Sequence, residues 1–218
     1  MKLLVTAGPT REFLDPVRFL SNRSSGRMGY AVAARALARG HSVTLVSGPV
    51  ALPPPQGATL VPVVSARDML AAVQAALPAC DALVMAAAVA DWRPRQTAST
   101  KLKKRTMQPV LELVPNPDIL LTVRPLKEHR LWVGFAAETD HVLAEAAAKL
   151  ERKGLDLIVA NDVSQPDAGF EVDTNRVILL AQAEAPQPLP LLSKAAVADR
   201  ILDWVERHLQ APRPAAPG

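Results

Sequence analysis

Residues 3–29 read LLVTAGPTREFLDPVRFLSNRSSGRMG, and this stretch decides the fold. A short apolar strand runs into a long polar segment, and a helix is predicted to begin at Ser24-Ser25-Gly26. A strand that leads into a glycine-containing helix start favours anion binding, because the first-turn N–H groups and the helix dipole point at the ligand. The spacing of Gly8, Gly26 and Gly29 differs from the dinucleotide fingerprint. We therefore expect residues 10–23 to form a substrate-contacting loop.

The rest of the chain alternates apolar runs with helical patterns, which is typical of an α/β fold. Seven runs are predicted to be strands: residues 2–6, 42–47, 59–63, 82–87, 131–135, 155–160 and 176–182. Four segments are predicted to be helices: residues 26–39, 66–77, 140–153 and 194–209. Residues 110–114 read as one further short strand. We predict a single Rossmann-like domain over residues 1–210, with a mostly parallel sheet and helices on both faces. Residues 211–218 are predicted to be a disordered tail rich in Pro and Ala.

Composition narrows the functional classes. The chain has 218 residues, is 49% hydrophobic and carries a formal net charge of +4, which favours anionic partners. No apolar run approaches the roughly 20 residues of a membrane span, and the N-terminus does not read as a signal peptide. The single cysteine, Cys80, and four scattered histidines give no zinc spacing. We expect a cytoplasmic protein with no membrane partner.

A basic segment follows the predicted strand 82–87. Asp91 comes directly after a run of alanines, and residues 93–105 read RPRQTASTKLKKR, with six basic residues and no acidic one. This segment could be a solvated loop, a nucleic-acid contact without stacking aromatics, or a lid that brings Lys101, Lys103 and Lys104 onto a polyphosphate. Its position after the carboxyl end of a strand favours the lid.

Other residues at the same edge of the sheet also fit a nucleotide. Residues 115–119, PNPDI, form a predicted rigid turn at a helix start. Phe135 could stack on a base or pack in the core. Lys149 and Lys153 lie four residues apart on one helix face, although a surface pair between Glu145 and Lys149 is the common alternative. Asn161 ends the next strand at this edge.

Taken together, these segments resemble the phosphopantothenoylcysteine synthetase family, the ligase domain of the bacterial coenzyme A pathway. The resemblance extends over residues 5–169 and the closing strand and helix, and it is carried by TAGPTRE, LDPVRFLSNRSSGRMG, TLVSGPV, AAAVADW, KLKK, NPDI, VGFAAET and RKGLDLIVANDVS. In many bacteria this domain follows a flavin-dependent decarboxylase. We find no decarboxylase portion here and expect no flavin.

The resemblance implies that the chain ligates 4′-phosphopantothenate to cysteine. CTP would be the co-substrate: the substrate carboxylate attacks the α-phosphorus, pyrophosphate leaves, and the cysteine amine attacks the acyl cytidylate and releases CMP. Both transition states carry dispersed negative charge, which cations and N–H donors stabilise. Mg²⁺ is expected to bridge the triphosphate oxygens.

The resemblance also implies roles for particular residues. Asn22 and Lys101 are implied as catalytic residues: Asn22 positions the acyl cytidylate for the cysteine step, and Lys101 meets the triphosphate. Ala87 is implied to lie at the phosphopantothenate site. Nucleotide contacts are implied for Asp91, Lys101, Asn116, Pro117, Asp118, Ile119, Phe135, Lys149 and Lys153. No residue is assigned as a metal ligand. The family is further implied to be a homodimer with its sites near the subunit interface.

Two other functions remain in view. An NAD(P)-dependent oxidoreductase would use the same sheet, but GxGxxG is absent and strand 42–47 ends without a ribose-binding acid. Tyr30 is the only tyrosine and is followed four residues later by Ala34, so no Tyr-x-x-x-Lys pair exists. A basic nucleic-acid-binding domain would use the 93–105 segment, and its binding would weaken steeply with salt.

Overall fold

A computed structural model describes residues 1–105, 110–138, 141–162 and 173–210 of the chain. The described residues form these strands: β1 (Lys2–Ala7), β2 (Arg11–Phe13), β3 (Phe19–Ser21), β4 (Ser42–Ser47), β5 (Thr59–Pro62), β6 (Ala82–Met85), β7 (Trp92–Pro94), β8 (Leu113–Pro115), β9 (Leu131–Glu138), β10 (Leu157–Asp162), β11 (Thr174–Asn175), β12 (Val177–Ala181), β13 (Gln187–Pro188) and β14 (Leu192–Ser193). They form these α-helices: α1 (Arg27–Ala38), α2 (Ala66–Ala76), α3 (Ile119–Val123), α4 (Val142–Lys153) and α5 (Lys194–Gln210). Short 3₁₀ turns follow α2 and α3.

The central sheet has eight strands in the order β13-β12-β10-β9-β6-β1-β4-β5. The six strands from β10 to β5 are parallel, while β12 and β13 add antiparallel at one edge. The chain adds strands β4 and β5 on one side of β1 and then β6, β9 and β10 on the other side. The direction in which the sheet grows therefore reverses at β1. Ligands bind beyond the carboxyl ends of strands at such a point. The predicted Rossmann-like, mostly parallel sheet is therefore confirmed.

Hydrophobic cores cover both faces of this sheet. On one face, Leu3 and Val5 pack among the buried residues of α1 and α5. On the other face, Leu4 packs with buried residues of α2, α3 and α4. Successive residues of β1 enter opposite cores because side chains alternate along a strand. This two-sided burial explains why the parallel strands read as continuous apolar runs. No helix among the described residues is both long enough and apolar enough to cross a membrane.

The segment between β1 and α1 differs from the sequence-based prediction. Residues 10–23 were predicted as a loop, but they contain a β-hairpin in which β2 pairs antiparallel with β3. A second hairpin pairs β7 with β8, so the basic segment 93–105 begins inside a strand. The short strand predicted at 110–114 lies at β8 and belongs to this hairpin, outside the main sheet. Three-residue strands give too few alternating positions to be recognised from sequence.

Two glycines hold the loops at the carboxyl ends of β1 and β4 together. Gly26 precedes α1 with φ 76°, a left-handed conformation that favours glycine. Gly48 lies so close to Pro9 that an added Cβ would stand 1.9 Å from the Pro9 carbonyl oxygen. Any side chain at Gly48 would therefore displace the loop that leads into the β2–β3 hairpin.

The ends of the helices can also be compared with the sequence-based predictions. Helices α1, α2 and α5 begin and end within one residue of the predicted positions, apart from fraying ends. Ser65 and Asp68 form a capping box at the start of α2. The predicted start of α4 at residue 140 and the predicted disordered tail, 211–218, lie outside the described residues.

Candidate active site

The site is built where the loops after β1 and β6 join. The Ala88 N–H donates to the Gly8 carbonyl at 2.9 Å, and the Ala90 N–H donates to the Thr10 hydroxyl at 2.9 Å. Thr10 is fully buried, and the hydrogen bond from Ala90 gives its hydroxyl oxygen a partner in place of water. These backbone contacts hold the alanines after β6 in place. Because alanine side chains are small, they leave room for the cavities at the carboxyl end of the sheet.

Asn22 crosses this junction from the segment between β3 and α1. Its side-chain amide donates to the carbonyls of Val89 at 3.1 Å and Ala88 at 3.4 Å. These hydrogen bonds use the amide nitrogen as the donor and so orient the side chain. The sequence-predicted site residues Asn22 and Ala87 are brought to the wall of one cavity.

Two neighbouring cavities lie above the sheet. The first, which we name the Asp118 cavity, measures about 550 Å³ and is bordered by the 115–120 turn and α4. The second, the Asn22 cavity, measures about 330 Å³ and is bordered by the start of α1 and the start of α5. Both are lined by the same central residues: Ala87, Val89, Asp91, Phe135 and Lys149. A ligand with two ends could therefore occupy both cavities across this shared wall.

The turn that lines the Asp118 cavity is held by polar contacts to the β6 loop. The Asn116 side-chain amide donates to the Ala90 carbonyl at 2.8 Å, and its backbone N–H donates to the Asp91 carbonyl at 2.7 Å. Arg93 donates to the Pro115 carbonyl and to the Asn116 side-chain oxygen. Asp118 caps α3 by accepting the Leu121 N–H at 3.2 Å. Several hydrogen bonds thus hold the PNPDI turn at the start of α3.

Lysines of α4 reach the same cavity. Lys149 Nζ donates to the Phe135 carbonyl at 2.8 Å, so this side chain contacts β9. Lys153 forms an ion pair with Asp118. Burial lowers the pKa of Lys153, and the charge of nearby Asp91 opposes that shift. Both cations are therefore held at the cavity wall.

Phe135 is half-buried and lines both cavities. The ring is therefore neither a pure core residue nor a surface residue, and one side of it is available to a ligand. Asp91 is exposed and lines both cavities as well. Phe135 also packs against the core on the face that α1 and α5 cover, so it combines a core contact with a place in the cavity wall. Contact with a nucleotide stays a prediction.

Lys101 is not brought to either cavity. Its neighbour Leu102 is tied to the loop before β3: the Leu102 N–H donates to Asp15 at 3.1 Å, and Arg18 donates to the Leu102 carbonyl at 2.8 Å. Arg95 pairs with Glu112 across the β7–β8 hairpin. The basic segment is thus partly used for internal contacts, and the lid role of Lys101 stays a prediction.

Comparison with known proteins identifies the family. Residues 1–209 match the family described as DNA/pantothenate metabolism flavoprotein C-terminal domain. The chain belongs to this family. It is 48% identical over 209 residues to the coenzyme A biosynthesis bifunctional protein CoaBC of Escherichia coli K12, covering 94% of this chain and 51% of that protein. It is 50% identical over 220 residues to CoaBC of Mycobacterium tuberculosis, covering 95% and 52%.

The fold agrees with these relatives. A crystal structure of the C-terminal domain of CoaBC superposes with a TM-score of 0.83 and 43% identity, covering 96% of this chain and 95% of that one. The predicted resemblance to one half of the bifunctional coenzyme A biosynthesis protein is thereby confirmed. The chain spans about half the length of the curated relatives it matches.

A metal ion in this site would need ligands from a bound nucleotide as well as from the protein. The part of the chain that the structure describes holds no group of three or more His, Cys, Asp or Glu side chains placed to bind a metal. Asp91 and Asp118 both line the Asp118 cavity. Mg²⁺ is commonly held by one or two carboxylates together with substrate phosphates, so these residues fit an ion that arrives with a nucleotide.

Several residues of the Asn22 cavity were missed or undervalued from sequence. Asn161 lines the cavity, and its side-chain oxygen is buried without a hydrogen-bond partner among the described residues. Arg27, Asn175 and Lys194 line it too. Arg27 lies within the SNRSSGRMG stretch but was assigned no role, whereas Asn175 and Lys194 lie in no motif. Their one sequence signal is that each lies next to an end of a predicted helix or strand.

Proposed function

We propose that this chain ligates 4′-phosphopantothenate to cysteine with CTP, as a step of coenzyme A biosynthesis. In the first step a carboxylate oxygen of 4′-phosphopantothenate forms a bond to the α-phosphorus of CTP, and pyrophosphate leaves. In the second step the cysteine nitrogen forms a bond to the acyl carbon, CMP leaves, and the amine loses a proton. The product is an amide, and no redox change occurs.

The observation that carries this proposal is the shared wall between the two cavities. An acyl cytidylate has a nucleotide end and an acyl end, with the reacting carbonyl and phosphorus between them. The Asp118 cavity suits the nucleotide end, since its wall includes Phe135, an acidic residue, Asp91, and two lysines. The Asn22 cavity suits the acyl end, and Asn22 lies beside the junction.

Cations explain how the first step would be assisted. The substrate carboxylate and the triphosphate repel each other, so bringing them together requires positive charge in a site with little water. Lys149 and Lys153 hold positive charge at the wall of the Asp118 cavity. Lys101 would add a third cation when the basic segment covers the nucleotide. A bound Mg²⁺ would neutralise phosphate oxygens and act as a Lewis acid.

Asn22 is proposed to act in the second step. Its amide nitrogen is held by the Ala88 and Val89 carbonyls, which fixes the side chain at the end of the β6 loop. From there it can orient the acyl cytidylate through its amide without gaining or losing a proton. Such preorganisation lowers the activation free energy of the second step, because the reacting atoms are already oriented toward each other.

The deciding experiment measures pyrophosphate release. The protein is mixed with CTP or ATP, with and without 4′-phosphopantothenate, and then with cysteine. We expect release with CTP that depends on 4′-phosphopantothenate, and CMP formation that depends on cysteine. Absence of pyrophosphate with both nucleotides would overturn the proposal. Equal rates of release with CTP and ATP would overturn only the preference for CTP.

Neither alternative function gains support from the site. β4 ends at Ser47 and Gly48, which offer no carboxylate to a ribose, as an NAD-binding site would need. A nucleic-acid surface would need free cations with stacking aromatics, whereas Arg93 and Arg95 contact their own hairpin. A cytoplasmic location and the absence of a nucleic-acid partner are part of the proposal, since the pathway intermediates are small charged metabolites.

A homodimer is also part of the proposal. The β2–β3 and β7–β8 hairpins contact each other through Thr97, whose hydroxyl donates to the Phe13 carbonyl at 3.0 Å. The two hairpins and their loops carry a set of exposed large apolar side chains, the kind of surface that can bind a partner. We name it the hairpin surface: Val17, Phe19, Trp92, Leu111 and Leu113. Two-fold pairing through this surface would bury it beside both sites.

A further inference from the structure

Thr10, between β1 and β2, is a fully buried residue that lines neither the Asp118 cavity nor the Asn22 cavity. Each of its three polar groups nonetheless makes a hydrogen bond toward them. Its hydroxyl accepts from the Ala90 N–H at 2.9 Å, its own N–H donates to the Ala88 carbonyl at 3.3 Å, and its carbonyl accepts from the Ser21 hydroxyl at 2.7 Å. These partners belong to the loop after β6 and to the end of β3, the two segments that meet beside Asn22.

The hydroxyl of Thr10 holds Ala90 next to the Asp118 cavity. The carbonyl of the same Ala90 accepts from the Asn116 side-chain amide at 2.8 Å, and the carbonyl of the next residue, Asp91, accepts from the Asn116 N–H at 2.7 Å. Asn116 belongs to the turn that borders the Asp118 cavity. Ala90 is therefore fixed from both sides, by Thr10 at its N–H and by the 115–120 turn at its carbonyl.

The backbone of Thr10 fixes the other cavity, at Asn22. The Ala88 carbonyl that accepts from the Thr10 N–H also accepts from the Asn22 side-chain amide, at 3.4 Å. Ser21, whose hydroxyl donates to the Thr10 carbonyl, directly precedes Asn22 in the chain. Thr10 thus contacts both the segment that carries Asn22 and the loop to which Asn22 donates. The position of Asn22 relative to this loop therefore depends on Thr10.

A second buried threonine supports the same loop at its other end. The Thr6 hydroxyl accepts from the Ala87 N–H at 3.2 Å, and Thr6 is fully buried. Ala87 and Val89 line both cavities, so the residues between the two threonine contacts form part of the shared wall. This wall carries only small or apolar side chains and is held through its backbone. Its placement is therefore set by the hydrogen bonds of residues beneath it.

We propose that Thr10 is a positioning residue that sets the alignment of the two cavities, and so of the nucleotide with the acyl substrate. This inference rests on the proposed function, in which a carboxylate oxygen must reach the α-phosphorus at the shared wall. Each end of the ligand is bound in its own cavity, but residues 87–91 fix the distance between the ends. A misplacement of about 1 Å can slow such a reaction about 100-fold. Loss of the Thr10 hydroxyl should therefore lower kcat and leave KM for each substrate nearly unchanged.

The test removes the Thr10 hydroxyl while keeping a side chain of similar shape. Pyrophosphate release is measured at varied CTP and 4′-phosphopantothenate for wild type, Thr10→Val, Thr10→Ser and Tyr30→Phe. Thr10→Ser retains the hydroxyl. Tyr30→Phe is the matched control, because it removes another buried hydroxyl, which contacts Ser47 at 3.1 Å and not the loop after β6. Thermal unfolding of each variant checks that kcat is measured on folded protein.

We expect Thr10→Val to lose about 10- to 100-fold in kcat, with both KM values within about twofold of wild type. Thr10→Ser should recover most of kcat, and Tyr30→Phe should keep all of it even if it unfolds at a lower temperature. A folded Thr10→Val protein with wild-type kcat, or with a loss confined to KM, would overturn the inference. If Thr10→Val does not fold, Ser21→Ala takes its place, since Ser21 is exposed, and wild-type kcat in that variant would overturn the inference instead.

Hydrogen exchange separates this inference from the proposed function, because exchange over residues 86–91 needs neither substrate nor turnover. We expect it to be faster in Thr10→Val than in wild type and unchanged in Thr10→Ser, in which the Ala90 N–H keeps its acceptor. A wild type that releases no pyrophosphate, together with this exchange pattern, would refute the proposed ligase and leave the positioning of the wall by Thr10 standing. Unaltered exchange in Thr10→Val would show that the hydroxyl does not hold the loop and would overturn the inference whatever the activity.

Discussion

The carboxylate of Asp15 accepts a hydrogen bond from the backbone N–H of Leu102 at 3.1 Å, across 87 residues of sequence. The same carboxylate receives two hydrogen bonds from the Arg18 guanidinium and the backbone N–H groups of Val17 and Arg18. These hydrogen bonds, that of Arg18 first, hold the pKa of Asp15 well below its usual range. Asp15 therefore connects the loop before β3 to the residue next to Lys101.

We predict that Asp15 positions the basic segment for the nucleotide step. Asp15→Asn keeps the shape of the side chain but loses its charge and part of its accepting capacity, so the Leu102 contact should weaken. Hydrogen exchange over residues 93–105 should become faster, and KM for CTP should rise severalfold. Glu112→Gln, which breaks an exposed ion pair in the same region, is the control and should leave both unchanged. Unaltered exchange in Asp15→Asn would show that the contact does not hold the segment.

Lys101 is predicted to act on the triphosphate even though it lies outside both cavities. A charged hydrogen bond to phosphate contributes about 1.5–3 kcal/mol. Lys101→Gln should therefore slow acyl cytidylate formation by at least about tenfold, with unchanged thermal stability. Hydrogen exchange over residues 93–105 should slow in wild type when CTP and 4′-phosphopantothenate are added. Normal turnover by Lys101→Gln, with exchange that ignores both ligands, would make the segment a charged surface only.

Asn22 is predicted to separate the two chemical steps. Asn22→Asp should still allow the carboxylate to attack CTP, but its new negative charge would lie near the phosphate and the acyl carbonyl and oppose the amine step. Mass spectrometry of the variant with CTP and 4′-phosphopantothenate should detect an accumulating acyl cytidylate. Rapid product formation from cysteine by this variant would remove Asn22 from the second step.

The hairpin surface is predicted to form the dimer contact. Phe19 is 39% exposed, and its ring packs against Phe13 and beneath the Arg11 guanidinium. Phe19→Ser should shift light scattering from a dimer mass toward a monomer mass at micromolar concentration. Leu126→Ser, which removes a similarly exposed apolar side chain elsewhere, serves as the control. A monomeric wild type would refute the dimer itself.

A pH-dependent part of the stability is predicted at the contact between α1 and α5. Glu206 accepts from His41 at 2.7 Å and from Arg39 at 3.2 Å, and these contacts, that of His41 first, lower its pKa below the ordinary 4.5. A lowered carboxyl pKa stabilises the fold above pH 4.5, and that stabilisation is lost as the pH falls through the folded pKa.

Glu206→Gln should therefore reduce the free energy of unfolding by about 1 kcal/mol near pH 6, a small value because the pair is partly solvated. The difference from wild type should shrink between pH 4.5 and pH 3, as measured by urea denaturation. Glu151→Gln, an exposed carboxylate of α4, is the control and should show no such trend. A difference that stays constant down to pH 3 would contradict the assignment.

The order of strands and helices followed from the sequence, because continuous apolar runs and helical periods are local signals. The short hairpins of residues 11–21 and 92–115 did not, since strands of three residues carry too little alternation and derive their pairing from tertiary contacts. The resemblance to known sequences supplied the residues Asn22, Asp118 and Phe135 before any geometry was available.

By itself, then, the sequence determined the parallel sheet, the edge at which the two cavities lie and the family. Only the tertiary structure decided which side chains meet there. The ion pair of Lys153 with Asp118 joins residues 35 apart, and Lys194 meets the Asn22 cavity from the far end of the chain. Such contacts depend on how helices pack across the sheet, and no local period encodes them. The burial of Lys194 is likewise a property of the packed molecule, because a lysine at a helix start is ordinarily solvated.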